Sequence, residues 1–345
     1  MPTEAGIVFN VPEGVFYNPL QRLNRDIALV MLSSQPKEQL QIADVMAGSG
    51  IRAIRIAKAM PGRIRALHAN DASPEAVAII KANAEKNNVA LEVHNLDAQT
   101  FLYNSTGFDY IDIDPFGTPV PFLDAACCRI ARDGILAVTA TDVQALSGVN
   151  PKACLRKYLG MPLRNELMHE VALRLLIRRV QVAGAAHDRA MIPVYCHSTL
   201  HYIRCYFRAE KGKQKVDAVM AQQGWLGFDE KTRNFWASQQ VAVAGPLWLG
   251  PLFDPDVAAK AMQTELPIST ETRRLLTIIA EESSVPAIGF FDLHRICPAN
   301  GLELRRKMDV IRRLQQQGSK AASTHIRDTA IRTTASFEQV MEAVR

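Results

Sequence analysis

The chain has 345 residues, 48% of them hydrophobic and 22% charged, which excludes a disordered polypeptide and allows two domains or one large domain with an appendage. A formal net charge of +5 is mildly basic and admits a nucleic-acid partner without requiring one. No stretch is apolar enough to span a bilayer and no basic leader with a long apolar run opens the chain, so neither a membrane nor a secreted location is expected.

Residues 1–40 read as a lead-in. Val15 to Pro19 (VFYNP) is extended or turning, because Pro19 restrains Asn18. Arg22 to Leu32 carries apolar residues at helical spacing. From 41 to 142 short apolar strands alternate with helices. QIADVM is followed by a helix from Ile51 to Met60, and IRALHAN by a helix from Pro74 to Lys86. Ser73 is the expected N-cap of that helix and Pro74 its first residue. LEVHNL and FDYIDID are further strands, then come a helix from Pro121 to Ala131 and the strand GILAVTAT. Such alternation implies parallel pairing through right-handed crossovers, a doubly wound α/β sheet. Residues 150–183 look helical. MIPVYCHSTL and HYIRCYFRAE leave no room for a crossover and should pair antiparallel. Gly245 to Pro255, rich in Gly and Pro, reads as a boundary. Beyond it a smaller α+β unit is expected, with helices at 270–283 and 301–317 and a strand candidate TTASF.

The six cysteines, at 127, 128, 154, 196, 205 and 297, form no C-x-x-C pair and flank no histidine at zinc-finger spacing. Neither a metal centre nor a disulfide is expected, and a reducing cytoplasm is the natural setting.

The first strand runs into Asp44-Val45-Met46-Ala47-Gly48-Ser49-Gly50-Ile51-Arg52, a glycine-containing loop that opens a helix. Such a loop lets a ligand approach the backbone beside free helix N–H groups. It fits both S-adenosylmethionine and a dinucleotide, since G-x-G-x-x-A is satisfied. Asp71, after the second strand, would hold ribose hydroxyls in either case. Asp97 and Ala98 after the third strand separate the two: a carboxylate and a backbone N–H there suit an adenine edge. Three acid-ended strands make a methyltransferase series that an NAD-dependent oxidoreductase, the first alternative, does not need.

The fourth strand ends at Asp114-Pro115-Phe116-Gly117. Ligands of open α/β sheets bind at the carboxyl ends of strands, so Asp114 faces the transferable methyl. An exocyclic aryl amine is a poor nucleophile because its lone pair is delocalised. An acceptor held at the N–H localises that pair and takes the proton. Asp114 suits this, helped by a backbone carbonyl such as that of Pro115. Phe116 can stack on a base, and Gly117 leaves room for the base edge.

With these motifs the chain resembles the tRNA (guanine-26-N2)-dimethyltransferases over almost its whole length. VFYNP with LNRD, GSGIRAIR, the AND acid, DIDPFG, TATD, CLRKYLGMPLRNELMHE, the GPLWLGPL joint and the closing TTASF carry the resemblance. It implies a Rossmann-like class I methyltransferase sheet in residues 1–245, mostly parallel with an antiparallel C-terminal hairpin, and a smaller tRNA-binding domain in 246–345. It further implies two methyl transfers from S-adenosylmethionine to N2 of a tRNA guanine. Carried over residue by residue, Arg25, Arg52, Asp71, Asp97 and Ala98 would bind the cofactor. The two arginines would meet its carboxylate. Asp114 would be catalytic, with Phe116 and Phe16 sandwiching the base or walling its pocket. Some relatives carry a zinc-binding cysteine cluster in the second half; this chain lacks it. Gly48-Ser49 stands where many have Ala-Thr.

A base buried at a stem junction must be flipped out, so basic residues should grip tRNA phosphates. Arg156, Lys157 and Arg164 are candidates, with Arg305, Arg306, Lys307, Arg312 and Arg313 farther on. An amino-methyltransferase acting on another nucleic acid and a non-catalytic tRNA-binding protein compete with this reading. The sequence marks no obligate protein partner.

Overall fold

A computed structural model describes residues 1–345. Its centre is a seven-stranded sheet of β1 (Leu40–Asp44), β2 (Ile64–Asn70), β3 (Glu92–His94), β4 (Phe108–Ile113), β5 (Ile130–Ala140), β6 (Arg189–Thr199) and β7 (Tyr202–Lys211). In space the strands run β3-β2-β1-β4-β5-β7-β6. The first five are parallel, and β7 is antiparallel to both β5 and β6. Every residue of β1 and β4 is buried, as two-faced helix cover demands of central parallel strands. The strand order reverses between β1 and β4, which opens a crevice at their carboxyl ends.

The helices that build the crevice are α1 (Arg22–Ser33), α2 (Ile51–Ala59), α3 (Pro74–Lys86), α4 (Ala98–Asn104), α5 (Leu123–Arg129), α6 (Pro151–Tyr158) and α7 (Met168–Ala185). Ser73 caps α3 through the Ala76 N–H at 3.1 Å, with Pro74 in the first position, as the sequence predicts. The expected continuous helicity of 150–183 is broken: α6 ends at Leu159, whose φ is +56°, and α7 begins nine residues later, at Met168. The third strand is shorter than LEVHNL. It stops at His94, and Asp97 belongs to the next helix as its N-cap.

A three-stranded antiparallel sheet has no clear periodic signal in the sequence. Gln223–Phe228 lies between Phe235–Ser238 and Ala244–Trp248. Gly224 and Gly227 interrupt its apolar pattern, and a Cβ at Gly227 would collide with the Trp236 ring. The Gly- and Pro-rich joint is folded onto this sheet, where Trp248 Nε1 donates to the Pro251 carbonyl at 2.8 Å. Leu252, Phe253, Leu276 and Ile279 join the main core. A separate cluster of 14 buried residues runs from Phe291 to Val344. The segment TTASF is not a strand. The strand is Ala330–Thr333, and Ser336 caps the following helix Phe337–Val344 with a capping box.

Buried charge joins the two halves. Glu170 of α7 meets Arg332 at 2.8 Å and Arg174 at 2.8 Å, and accepts the Gly289 N–H at 2.6 Å. Arg332 continues to Glu282 at 2.9 Å, and Glu282 to His325 at 2.6 Å. Burial pushes both carboxyls up. Arg332 with Arg174 at Glu170, and His325 with Arg332 at Glu282, outweigh it and bring each to about 2 from an ordinary 4.5. Their contribution to stability is therefore present above pH 4.5 and lost as pH falls through about 2. Arg332→Met takes one cationic partner from each of two buried carboxylates. It should cost about 3–5 kcal/mol in denaturant unfolding at neutral pH, with a smaller deficit in acid. An unchanged midpoint would show that the network carries no stability.

Candidate active site

The cavity at the carboxyl ends of the parallel strands encloses about 710 Å³. Phe16, Arg25, Arg52, Asp71, Asp97, Ala98, Asp114 and Phe116 all line it, so the structure brings together every site residue expected from the sequence.

Gly48 has φ +54°, and a Cβ there would lie 3.2 Å from the Phe16 carbonyl oxygen. The loop is therefore approached closely by the lead-in segment, a role the sequence does not reveal. Asp71 spans the loop and the next helix: its Oδ2 accepts the Gly48 N–H at 2.9 Å and its Oδ1 the Ser73 N–H at 3.0 Å. Each oxygen keeps a second lone pair for a ligand hydroxyl. Asp97 Oδ1 accepts from the Gln99 and Thr100 N–H groups at 3.0 and 3.2 Å, which leaves Oδ2 without a protein donor in a residue that lines the cavity. As the first residue of α4, Ala98 offers an N–H with no intrahelical acceptor.

Arg52 lies among the strand-end acids. It pairs with Asp114 Oδ2, lies 3.2 Å from Asp112 and 3.8 Å from Asp44, and donates to Asn24 Oδ1 at 2.9 Å. Arg204 completes the cluster, 2.6 Å from Asp112 and hydrogen bonded to Thr139 at 2.5 Å. Burial raises the Asp112 carboxyl, but Arg204 and Arg52 hold it below the ordinary value. Asp44 goes the other way. Burial, opposed by Arg52 and reinforced by Asp112 and Asp114, lifts it from 3.8 to about 7. Its Oδ2 is buried without a hydrogen-bond partner. Arg25 is committed to Glu4 through Nε at 2.8 Å and Nη2 at 2.5 Å, leaving Nη1 without a protein partner.

Asn24, fully buried, is a residue to which the sequence pattern assigns no role. Its Nδ2 donates to Asp114 Oδ2 at 3.3 Å while its Oδ1 receives Arg52. Asn24 and Arg52 thus occupy the same carboxylate oxygen, and Asp114 Oδ1 has no protein donor. Its only signal in the sequence is its place in Leu23-Asn24-Arg25-Asp26. Beyond Asp114, the Gly117 N–H donates to Thr141 Oγ1 at 2.6 Å and the Thr141 N–H to the Gly117 carbonyl at 2.9 Å, pinning the loop to the end of β5. A Cβ at Gly117 would meet nothing within 4 Å, so the base edge has the room expected there.

Phe116 and Phe16 are 76% and 50% exposed, unusual for phenylalanines with this much core available. Their centroids lie 4.5 Å apart with planes at 80°. A base held between two parallel rings needs about 7 Å, two contact layers, so the pair must part to sandwich one.

The sequence profile of the family described as N2,N2-dimethylguanosine tRNA methyltransferase matches residues 1–345. The chain belongs to this family. Members similar to it include the tRNA (guanine(26)-N(2)/guanine(27)-N(2))-dimethyltransferase of Aquifex aeolicus, 37% identical over 95% of this chain and 89% of that one. The tRNA (guanine(26)-N(2))-dimethyltransferase of Methanothermobacter thermautotrophicus is 36% identical over 96% and 92%. A solved structure of Trm1 from Pyrococcus horikoshii in complex with S-adenosyl-L-methionine superposes with a TM-score of 0.91. It is 33% identical, covering 98% of this chain and 97% of that chain. Membership over the full length removes the oxidoreductase reading and those of another nucleic-acid substrate or a non-catalytic binder.

The Asp44 shift makes a test of the acid cluster in this family member. The folded state holds a proton that the unfolded chain has released, so the stability this confers is lost as pH rises from 3.8 through about 7. Asp44→Asn has no such proton to lose. Measured without ligand by denaturant unfolding, its stability relative to wild type should climb from about pH 4 to about pH 8. A pH-independent difference would refute the burial assigned to this carboxylate.

Proposed function

We propose that the protein transfers two methyl groups from S-adenosylmethionine to the exocyclic N2 of guanine 26 in tRNA. The observation that carries this reading is the position of Asp114: one oxygen anchored, the other unpaired, between strand-end acids and an exposed aromatic pair.

The residues of the cavity fit the cofactor. Asp71 would hold the ribose hydroxyls, and Asp97 with the Ala98 N–H the adenine edge. Arg52 and the unpartnered Nη1 of Arg25 suit the carboxylate. The orphaned Oδ2 of Asp44 suits a cationic amine. When bound, the cofactor supplies an electrophilic methyl group carried on sulfonium sulfur. Asp114 Oδ1 accepts a proton from N2 in each transfer, while Asn24 and Arg52 keep the carboxylate from rotating. Phe16 and Phe116 part to hold the flipped base and exclude water. Modification of guanine 27 as well is a second reading, favoured by the double specificity in the name of the 37% identical relative.

The tRNA is gripped, on this reading, by both halves, with residues 246–345 acting as the tRNA-binding domain. Arg156 and Arg164 are exposed and free of side-chain partners, whereas Lys157 pairs with Asp142 at 3.1 Å. Arg305 and Arg313 are engaged internally, capping the last helix through the Val344 carbonyl at 2.5 Å and the Ala343 carbonyl at 3.1 Å. Lys307 donates to the Asp328 carbonyl at 2.7 Å. Arg312 is 3.5 Å from Asp309, so Arg306 is the cation on that side left without a partner to meet phosphates. No helix is long and apolar enough to cross a membrane. The six free cysteines, five of them buried, agree with the cytoplasmic location we infer.

Incubation with labelled cofactor and an unmodified tRNA transcript, followed by mapping of the nucleotide, tests the assignment. Dimethylated guanine at 26 is expected; label elsewhere or on another atom refutes it. Asp114→Ala should lose about 10²–10⁴-fold in transfer rate while retaining cofactor affinity, and full activity would refute its role. Replacing Arg156 and Arg164 by alanine should weaken tRNA binding and lower the salt slope by about one for each arginine that neutralises a phosphate. An unchanged slope would place the tRNA elsewhere.

A further inference from the structure

A second cluster of chemistry-bearing side chains lies outside the catalytic cavity, at the β2–β3 edge of the sheet. His68 of β2 sits directly opposite Glu92 of β3, and His94 follows two residues later on the same strand and therefore on the same face. His68 Nδ1 lies 3.1 Å from His94 Nε2 and 3.3 Å from a Glu92 carboxylate oxygen. One ligand atom from each of the three lies within 4.8 Å of the others.

A hydrogen bond accounts for only part of this. A proton on His68 Nδ1 can be directed at only one neighbour, yet His94 and Glu92 both stand within 3.3 Å of that atom. A cation among the three atoms would satisfy all of them. The two separations made by His68, 3.1 and 3.3 Å, suit one: ligand atoms about 2.0–2.1 Å from a tetrahedral zinc lie about 3.4 Å apart. The rings are held from below. Phe108 packs edge-on to His68 at 5.3 Å, and Phe101 lies 5.0 Å from His94. The His68 side chain is 13% exposed and that of Glu92 58%, so the cluster is walled on the protein side and open to solvent on the other. The expectation of no metal rested on cysteine spacing, to which these residues are blind.

We propose that His68, Glu92 and His94 form a site for a divalent transition-metal ion, Zn²⁺ first, with water completing the shell. Two imidazoles and a carboxylate suit Zn²⁺, Ni²⁺ or Co²⁺ and disfavour Mg²⁺ and Ca²⁺, which prefer all-oxygen shells. The site clips β3, only three residues long and paired to β2 alone, onto the sheet. The clip reaches the cofactor turn, because the Asp71 N–H donates to the His94 carbonyl at 3.2 Å and Asn95 Nδ2 to the Asp71 carbonyl at 3.0 Å.

The test uses untagged full-length protein stripped with chelator, then dialysed against Zn²⁺ and assayed for bound metal and for melting temperature. One equivalent of Zn²⁺ and a raised melting temperature are expected, and Co²⁺ should give the intense visible bands of a tetrahedral site. Glu92→Gln, at an exposed position, should weaken Zn²⁺ binding at least about tenfold, and His94→Ala should abolish it. Absence of binding to the wild type overturns the proposal. So does undiminished binding in Glu92→Gln and His94→Ala, which would assign the metal to the cysteines.

Discussion

One guanidinium, that of Arg52, has to balance the carboxylates that end the two central strands. Asp44 closes β1, while Asp112 and Asp114 come at and just beyond the end of β4, and Arg52 faces all three from the first turn of α2. Four acids, counting Asp71, converge at the crevice where these strands end. Without cations there the strand ends would repel; Arg204 shares only Asp112, so the balance left to Arg52 is incomplete. The residue of that imbalance falls on Asp44, whose Oδ2 has no partner and whose carboxyl is lifted to about 7. An incompletely balanced acid cluster is a natural seat for a ligand bearing a positive charge, so the electrostatics of folding and of cofactor selection are the same problem.

The same economy sets the reacting carboxylate. Asn24 reads Arg52 with its carbonyl and Asp114 with its amide, so one buried side chain ties α1 to both. Asp114 is held by one edge only. On the mechanism we propose, the proton goes to the other edge because this oxygen is already occupied, with no extra residue needed.

Much of this was legible in the sequence, for definite reasons. The parallel sheet was, because each βα unit carries its own hydrophobic period and Ser73-Pro74 marks a helix start without help from elsewhere. The strand-end acids were, because chain order alone places residues at the carboxyl end of a parallel strand. What escaped depends on contacts distant in sequence. Asn24 and Asp114 are ninety residues apart. The sheet centred on Gln223–Phe228 is built around glycines that admit Leu249 and Trp236, and a missing side chain leaves no periodic trace. Arg305 and Arg313 looked like a phosphate grip because charge is visible in sequence, whereas the carbonyls they cap are not.

Glu4 carries a consequence of a different kind. Its carboxylate, 2% exposed, receives Arg25 on both oxygens, Arg55 on one and the Tyr17 hydroxyl on the other. Arg55 also pairs with Asp26, whose second oxygen accepts the Ser269 N–H at 2.9 Å and the Thr272 hydroxyl at 2.8 Å. Glu4 is thus wired, through Arg55 and Asp26, to a helix that begins far along the chain, at Thr270. Replacing Glu4 would leave Arg25 buried without its carboxylate and Arg55 with one of its two, and would loosen a wall of the cavity that Arg25 lines. A carboxylate that lies outside the cavity thus belongs to its wall, and its loss would be felt in the pocket although it touches no ligand there.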